Sequence, residues 1–152
     1  MDSALSPSQS RPFKGLWFKC ACVFQILTAL VHSLSFISKP TATNGTEQQM
    51  LDLMMSYKNE MGAGFTPTMF EILTSLSAGF ALLYLLGGLM NWYLWRSLND
   101  RGVLRGAVLI QSIVYGIMFV VCLYFTFLPP VIMTGLVFLL LLITWLTWPK
   151  KV

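Results

Sequence analysis

A chain of 152 residues is enough for one domain, yet 56% of this one is hydrophobic, only 11% is charged, and its mean hydropathy is +0.69. A soluble domain carries about 25% charged residues, so the composition excludes an ordinary water-soluble fold and points to an integral membrane protein. The net charge of +4 argues little for nucleic acid, because no basic run or basic face gathers the Lys and Arg residues.

In chain order, residues 1–15 are polar and read as a disordered cytoplasmic tail. Four apolar stretches follow, predicting helices at about 16–38, 69–95, 103–127 and 131–148. About 20 apolar residues at about 1.5 Å each cross the hydrocarbon. A chain in lipid must satisfy its backbone internally, so these segments are helices. The first apolar run is longer than a signal-peptide core, and cleavage would remove one of four regular spans. On it Cys22, Gln25, Ala29, His32 and Ser35 recur at steps of three or four. Gln25 and His32 would be costly against lipid, so this stripe is expected to face the bundle interior.

The connection at 39–67 carries a predicted amphipathic helix at about 47–61, with Met50, Leu53, Met54, Tyr57 and Met61 on one face. Thr46 with Gln49 fits a capping box, and Gly62 fits a C-terminal stop. The methionine-rich face either packs and rests in the membrane interface or adapts to a ligand or partner. The second span opens with Thr68 and Glu71, again the spacing of a capping box. Glu71 lies at a depth similar to His32 and could pair with it, relaying a proton or binding a polar head group. Alternatively Glu71 only caps its helix, and His32 bonds a backbone carbonyl or a hydroxyl such as Ser75.

Further along the second span Thr74, Ser77, Ala81, Tyr84, Gly88, Asn91 and Trp95 share a side. The third span repeats the pattern with Gln111, Tyr115, Met118, Cys122 and Thr126. Asn91, Gln111 and Tyr115 are candidates for polar contacts between helices, Asn91 with Gln111 in particular. The fourth span has little polar content beyond threonines and is expected to face lipid or a partner subunit. Pro129 and Pro130 form the turn before it.

Eight of the ten basic residues (Arg11, Lys14, Lys19, Arg96, Arg101, Arg105, Lys150 and Lys151) fall on one side of this layout, against Lys39 and Lys58 on the other. That asymmetry places both termini in the cytoplasm, and Trp17, Trp92, Trp95, Trp145 and Trp148 fall at the same boundary. Cys20, Cys22 and Cys122 read as free thiols, the last at the opposite face from the first two. No phosphate loop, nucleophile elbow or His-Glu-x-x-His is present, so neither a cofactor nor a metal is expected.

The runs "FQILTALVHSLSF", "YKNEMGAGF", "LYLLGGLMNWYL" and "FTFLPPVIMTGL" resemble an uncharacterised family of small bacterial four-helix membrane proteins. The plan is also similar, more distantly, to DoxX-like four-helix bundles. The resemblance implies a bacterial inner-membrane protein with four spans and brings no activity, cofactor or catalytic residue.

The expected fold is therefore all-α, a membrane four-helix bundle forming a single membrane domain, with a short amphipathic helix between the first two spans. Three functions remain open. The bundle could bind a lipid, quinone or other apolar molecule, with Gln25, His32, Glu71, Ser75, Met54 and Tyr57 as candidate ligand contacts. It could be an enzyme or proton-coupled redox auxiliary using His32 and Glu71. It could be a subunit of a larger complex, docked through the fourth span or the outer helix.

Overall fold

The computed structural model describes residues 15–37, 40–98 and 101–149. The expected disordered tail lies outside them apart from Gly15, as do Lys39, Lys150 and Lys151. The described residues form five α-helices: α1 (Leu16–Ser33), α2 (Gly45–Ser56), α3 (Met69–Ser97), α4 (Arg101–Phe125) and α5 (Leu128–Leu146). Four are long and apolar enough to cross a membrane, α1 being lengthened by a 3₁₀ turn to Phe36. The protein is all-α, with four candidate spans and one short helix between the first two.

Local chemistry explains where the helix ends depart from expectation. Ser33 Oγ donates to the Ala29 carbonyl at 2.8 Å and Ser35 Oγ to the His32 carbonyl at 2.7 Å. Hydroxyls that take up carbonyls compete with the helical ladder, and here the chain tightens into the 3₁₀ turn Leu34–Phe36. The fourth span starts at Leu128, earlier than expected, because Pro129 sits in the first turn, where a missing N–H leaves no bond unmade.

Two expectations for α2 are corrected. Its N-cap is Asn44, whose side chain accepts from Glu47 N at 2.9 Å. The Glu47 carboxylate in turn accepts from the Thr43 N–H at 2.6 Å and the Thr43 hydroxyl at 2.7 Å. Asn44 outcompetes Thr46 because Glu47 stands three residues after it, so the Thr46–Gln49 box does not form. At the other end the helix stops at Ser56, and Tyr57 is already extended. Residues 58–68 fold back on themselves: Lys58 bridges Thr68, Asn59 N donates to the Pro67 carbonyl at 2.9 Å, and Met61 N to that of Phe65 at 3.0 Å. Gly62 and Gly64 take φ of 83° and 82° in this turn, the left-handed region that glycine enters without penalty. Gly62 is thus a turn residue rather than a helix stop.

The helices group into two compact units, Ala21–Asn99 and Met1–Cys20 with Asp100–Val152. In the first, the stripe expected on α1 is buried at Cys22, Gln25 and Ala29, and that on α3 at Ala81, Tyr84, Gly88 and Asn91. The backbones come close at Gly88. A Cβ there would stand 2.7 Å from Ile26 Cγ1 and 3.0 Å from the Cys22 carbonyl oxygen, so any larger residue would force α1 and α3 to shift.

In the second unit, α4 and α5 pack through a reciprocal arrangement. Gly116 on α4 faces the Phe138 ring, and Gly135 on α5 faces the Phe119 ring. A Cβ at Gly116 would stand 3.0 Å from its ring, and one at Gly135 would stand 2.8 Å from its own. The two rings stack at 6.2 Å between centroids. The fourth span is therefore not simply turned to lipid: Thr134, Gly135, Val137, Leu141 and Thr144 are buried. Its threonines tolerate burial because Thr134 and Thr144 donate to the carbonyls of Pro130 and Leu140, each at 2.7 Å.

Elsewhere the spans expose large apolar side chains in rows, including Leu76, Leu82, Leu83 and Leu86 on α3 and Ile110 and Ile117 on α4. Water would not tolerate so continuous an apolar surface, whereas lipid favours it. This is a multi-pass membrane protein.

Candidate functional site

Within the Ala21–Asn99 unit, the 3₁₀ turn after α1, α2 and the start of α3 border a half-open cavity of about 360 Å³. The 3₁₀ turn contributes Phe36, α2 contributes Leu51 and Met54, and α3 contributes Phe70, Leu73 and Ser77. The reason is visible in the helix ends. The 3₁₀ turn redirects the chain after Ser33, and the Asn44 cap then starts α2 so that Leu51 and Met54 turn toward α3.

Hydroxyls supply the polar part of the lining. Ser35 and Thr74 are engaged with carbonyls of their own segments, at 2.7 and 2.8 Å. Ser77, also on the wall, forms no side-chain hydrogen bond among the described residues. His32 stands one ring behind the wall. Its imidazole meets Phe36 edge-on at 6.3 Å and tilts against Phe80 at 5.2 Å. The Nε2 atom is buried without a hydrogen-bond partner.

The expected hydrogen bond from His32 to Glu71 or Ser75 is therefore not formed. Glu71 closes the capping box at the start of α3, accepting from Thr68 N at 2.8 Å and Thr68 Oγ1 at 3.1 Å. Ser75 Oγ donates to the Ile72 carbonyl at 2.8 Å. Both side chains are exposed, on a different side of α3 from Phe80. Helix-end chemistry wins over the long-range pair because its partners are three residues away and cost no chain ordering.

Of the two α2 candidates, Met54 lines the cavity and Tyr57 does not. Tyr57 is 61% exposed, as are Met50 and Leu53 to a similar degree. The packed edge of α2 is Leu51 with Met54, offset from the stripe read in the sequence.

Gln25 lies deeper in the same unit, away from the cavity lining. Asn91 Nδ2 donates to Gln25 Oε1 at 2.9 Å, and both residues are fully buried. Gln25 thus joins Asn91 as an interhelical polar contact. Gln111 and Tyr115, half-buried, belong to the other unit. Spacing alone placed Asn91 and Gln25 on inward stripes, but nothing in the sequence signalled that their registers coincide. Phe36 and Phe80, which bracket His32, were likewise missed: aromatic residues in apolar runs carry no distinguishing pattern.

Among the described residues no three His, Cys, Asp or Glu side chains gather as metal ligands. Cys22 and Cys122 are buried free thiols, and Cys20 is exposed. Compared with protein-family models, with curated proteins and with solved structures, the chain has no match.

Proposed function

We propose that this membrane protein is a non-catalytic binding or accessory protein that holds a lipid, quinone or other apolar molecule in the cavity beneath α2. The observation that carries this reading is the cavity itself, whose volume of about 360 Å³ lies in the range of small-molecule sites, about 300–1,000 Å³. Its wall combines apolar contact with one unengaged hydroxyl, Ser77, which suits an amphiphile with a long apolar part and a hydrogen-bonding end. Met54 gives an adaptable contact. The proton-coupled alternative has less support, because Glu71 is committed to its capping box.

The same reading places the chain in a bacterial inner membrane with both termini in the cytoplasm, so that α2 and its cavity face outward. Support comes from the eight-to-two distribution of basic residues and from the resemblance noted above. A cysteine introduced at Lys58 is expected to react with an impermeant reagent added outside, whereas one at Asn99 or Lys151 does not; the opposite pattern overturns the orientation.

Ligand binding is tested by native mass spectrometry of the purified full chain released from detergent. The wild type is expected to retain one more adduct than Met54→Trp, which fills part of the cavity. Equal retention by the two proteins removes the cavity from consideration, and a wild type that carries no adduct removes the binding reading.

A further inference from the structure

A second cavity, of about 460 Å³, runs along the α4–α5 pair. Leu109, Ile113, Gly116 and Val120 of α4 line it, facing Phe138 and Trp145 of α5. Its lining is apolar except for Ser112, whose hydroxyl is held by the Val108 carbonyl at 2.8 Å. From Leu109 to Val121, also on the wall, the groove follows twelve helical steps, or about 18 Å. That is close to the depth of one leaflet, half of an apolar core of about 30 Å.

The α4 positions advance by three or four residues, and the same row continues one turn back to Arg105. There the guanidinium carbon stands 5.6 Å from the centroid of the Trp145 ring, which lines the groove. The groove thus ends at a fixed cation. Arg105 Nε is buried and has no hydrogen-bond partner. The residue as a whole is only part-buried, and a guanidinium matches a phosphate in both charge and fork geometry. One leaflet's depth of apolar wall ending in a cation fits an anionic amphiphile.

We propose that this groove seats an acyl chain of an anionic glycerophospholipid, with the phosphodiester held by Arg105 and the chain lying along α4 from Leu109 toward Val120. The site shares no residue with the cavity beneath α2 and does not depend on that cavity's ligand. Under the proposed orientation it faces the cytoplasmic leaflet, where basic pockets between spans commonly hold anionic head groups.

The test presents the purified full chain with an equimolar mixture of phosphatidylglycerol and phosphatidylcholine bearing identical oleoyl chains, read by native mass spectrometry. Both lipids offer the phosphodiester, but the choline cation of phosphatidylcholine is repelled by Arg105. The wild type is therefore expected to prefer phosphatidylglycerol by about tenfold, the scale of a like-charge contact near a protein surface. Arg105→Gln should bring that ratio close to one, while Arg105→Lys keeps part of it. Ile113→Trp, at a position already exposed, should reduce retention of both lipids. It also provides a variant that leaves the arginine in place if Arg105→Gln fails to fold. A wild type without preference overturns the proposal. So does a preference that survives Arg105→Gln, or retention that Ile113→Trp does not change.

Discussion

The Gln25–Asn91 hydrogen bond joins α1 to α3 within a fully buried contact, at 2.9 Å, one turn from the close approach at Gly88. Replacing Asn91 with Leu, or Gln25 with Leu, keeps bulk but deletes one amide and leaves the other short of this bond in a fully buried site. Such a deletion costs about 1–3 kcal/mol. The pair's own coupling is smaller, because an unfolded chain in lipid also finds partners; measured interhelical bonds in membranes average about 0.6 kcal/mol and reach about 1.7. Short distance and full burial place this pair at the upper part of that range, so a coupling of about 1 kcal/mol is expected. The double variant should then be less destabilised than the sum of the singles by that amount. A double-mutant cycle isolates the pair from whatever else each amide touches. The assay is reversible unfolding in mixed micelles, followed by helical circular dichroism. A coupling indistinguishable from zero would refute the claim that this bond helps hold α1 against α3.

Three further outcomes follow from the geometry. Gly135→Ala places a methyl group 2.8 Å from the Phe119 ring, which is stacked on Phe138 and has little room to yield; the expected loss is about 1–3 kcal/mol. Adding Phe119→Leu should recover part of it, and no recovery in thermal unfolding would show that the ring is not what limits the contact. The Thr43 hydroxyl and, next, its backbone N–H hold the Glu47 carboxyl below the usual glutamate range. A depressed folded value means that this cap's contribution is complete above the ordinary glutamate pKa and is lost as pH falls through the lowered one. Protection of the α2 amides, measured as exchange relative to the intrinsic rate at each pH, should therefore fall in acid in the wild type, and in Glu47→Gln should already be low at neutral pH; protection insensitive to both changes contradicts the cap. His32→Leu deletes no hydrogen bond and removes a buried unpartnered nitrogen, so it should match the wild type in stability or exceed it by about 1 kcal/mol. A clear loss of stability would mean that the imidazole has a partner after all.

Much of this architecture was legible in the sequence because the bilayer restricts the possibilities. Apolar length alone located four spans, and residue spacing identified Cys22, Gln25, Ala29, Ala81, Tyr84, Gly88 and Asn91 as inward-facing. The Thr68–Glu71 capping box was readable for the same reason: it is local, with both partners within one turn. What failed was whatever depends on competition between neighbouring signals or on register between distant helices. Asn44 displaced Thr46 as a cap, and the 58–68 turn shortened α2, because a glycine pair at positive φ favoured a reversal over another helical turn. Glu71 could serve a cap or His32, and only the three-dimensional arrangement separates the two. The cavity was beyond sequence reasoning altogether, since Phe36, Leu51, Phe70 and Leu73 differ in no local feature from apolar residues that face lipid.

The central claim, that the cavity beneath α2 holds an apolar ligand, is most directly tested by photocrosslinking from within it. A diazirine side chain of methionine's size placed at Met54, on the cavity wall, is compared with one at Leu53, which is 62% exposed on the same helix. Both proteins are purified and exchanged through detergent before illumination, so that only retained molecules can react. A lipid-sized mass added at position 54 and absent at position 53 is the predicted result. Equal capture at both positions, or crosslinks from position 54 only to α3 itself, would contradict it.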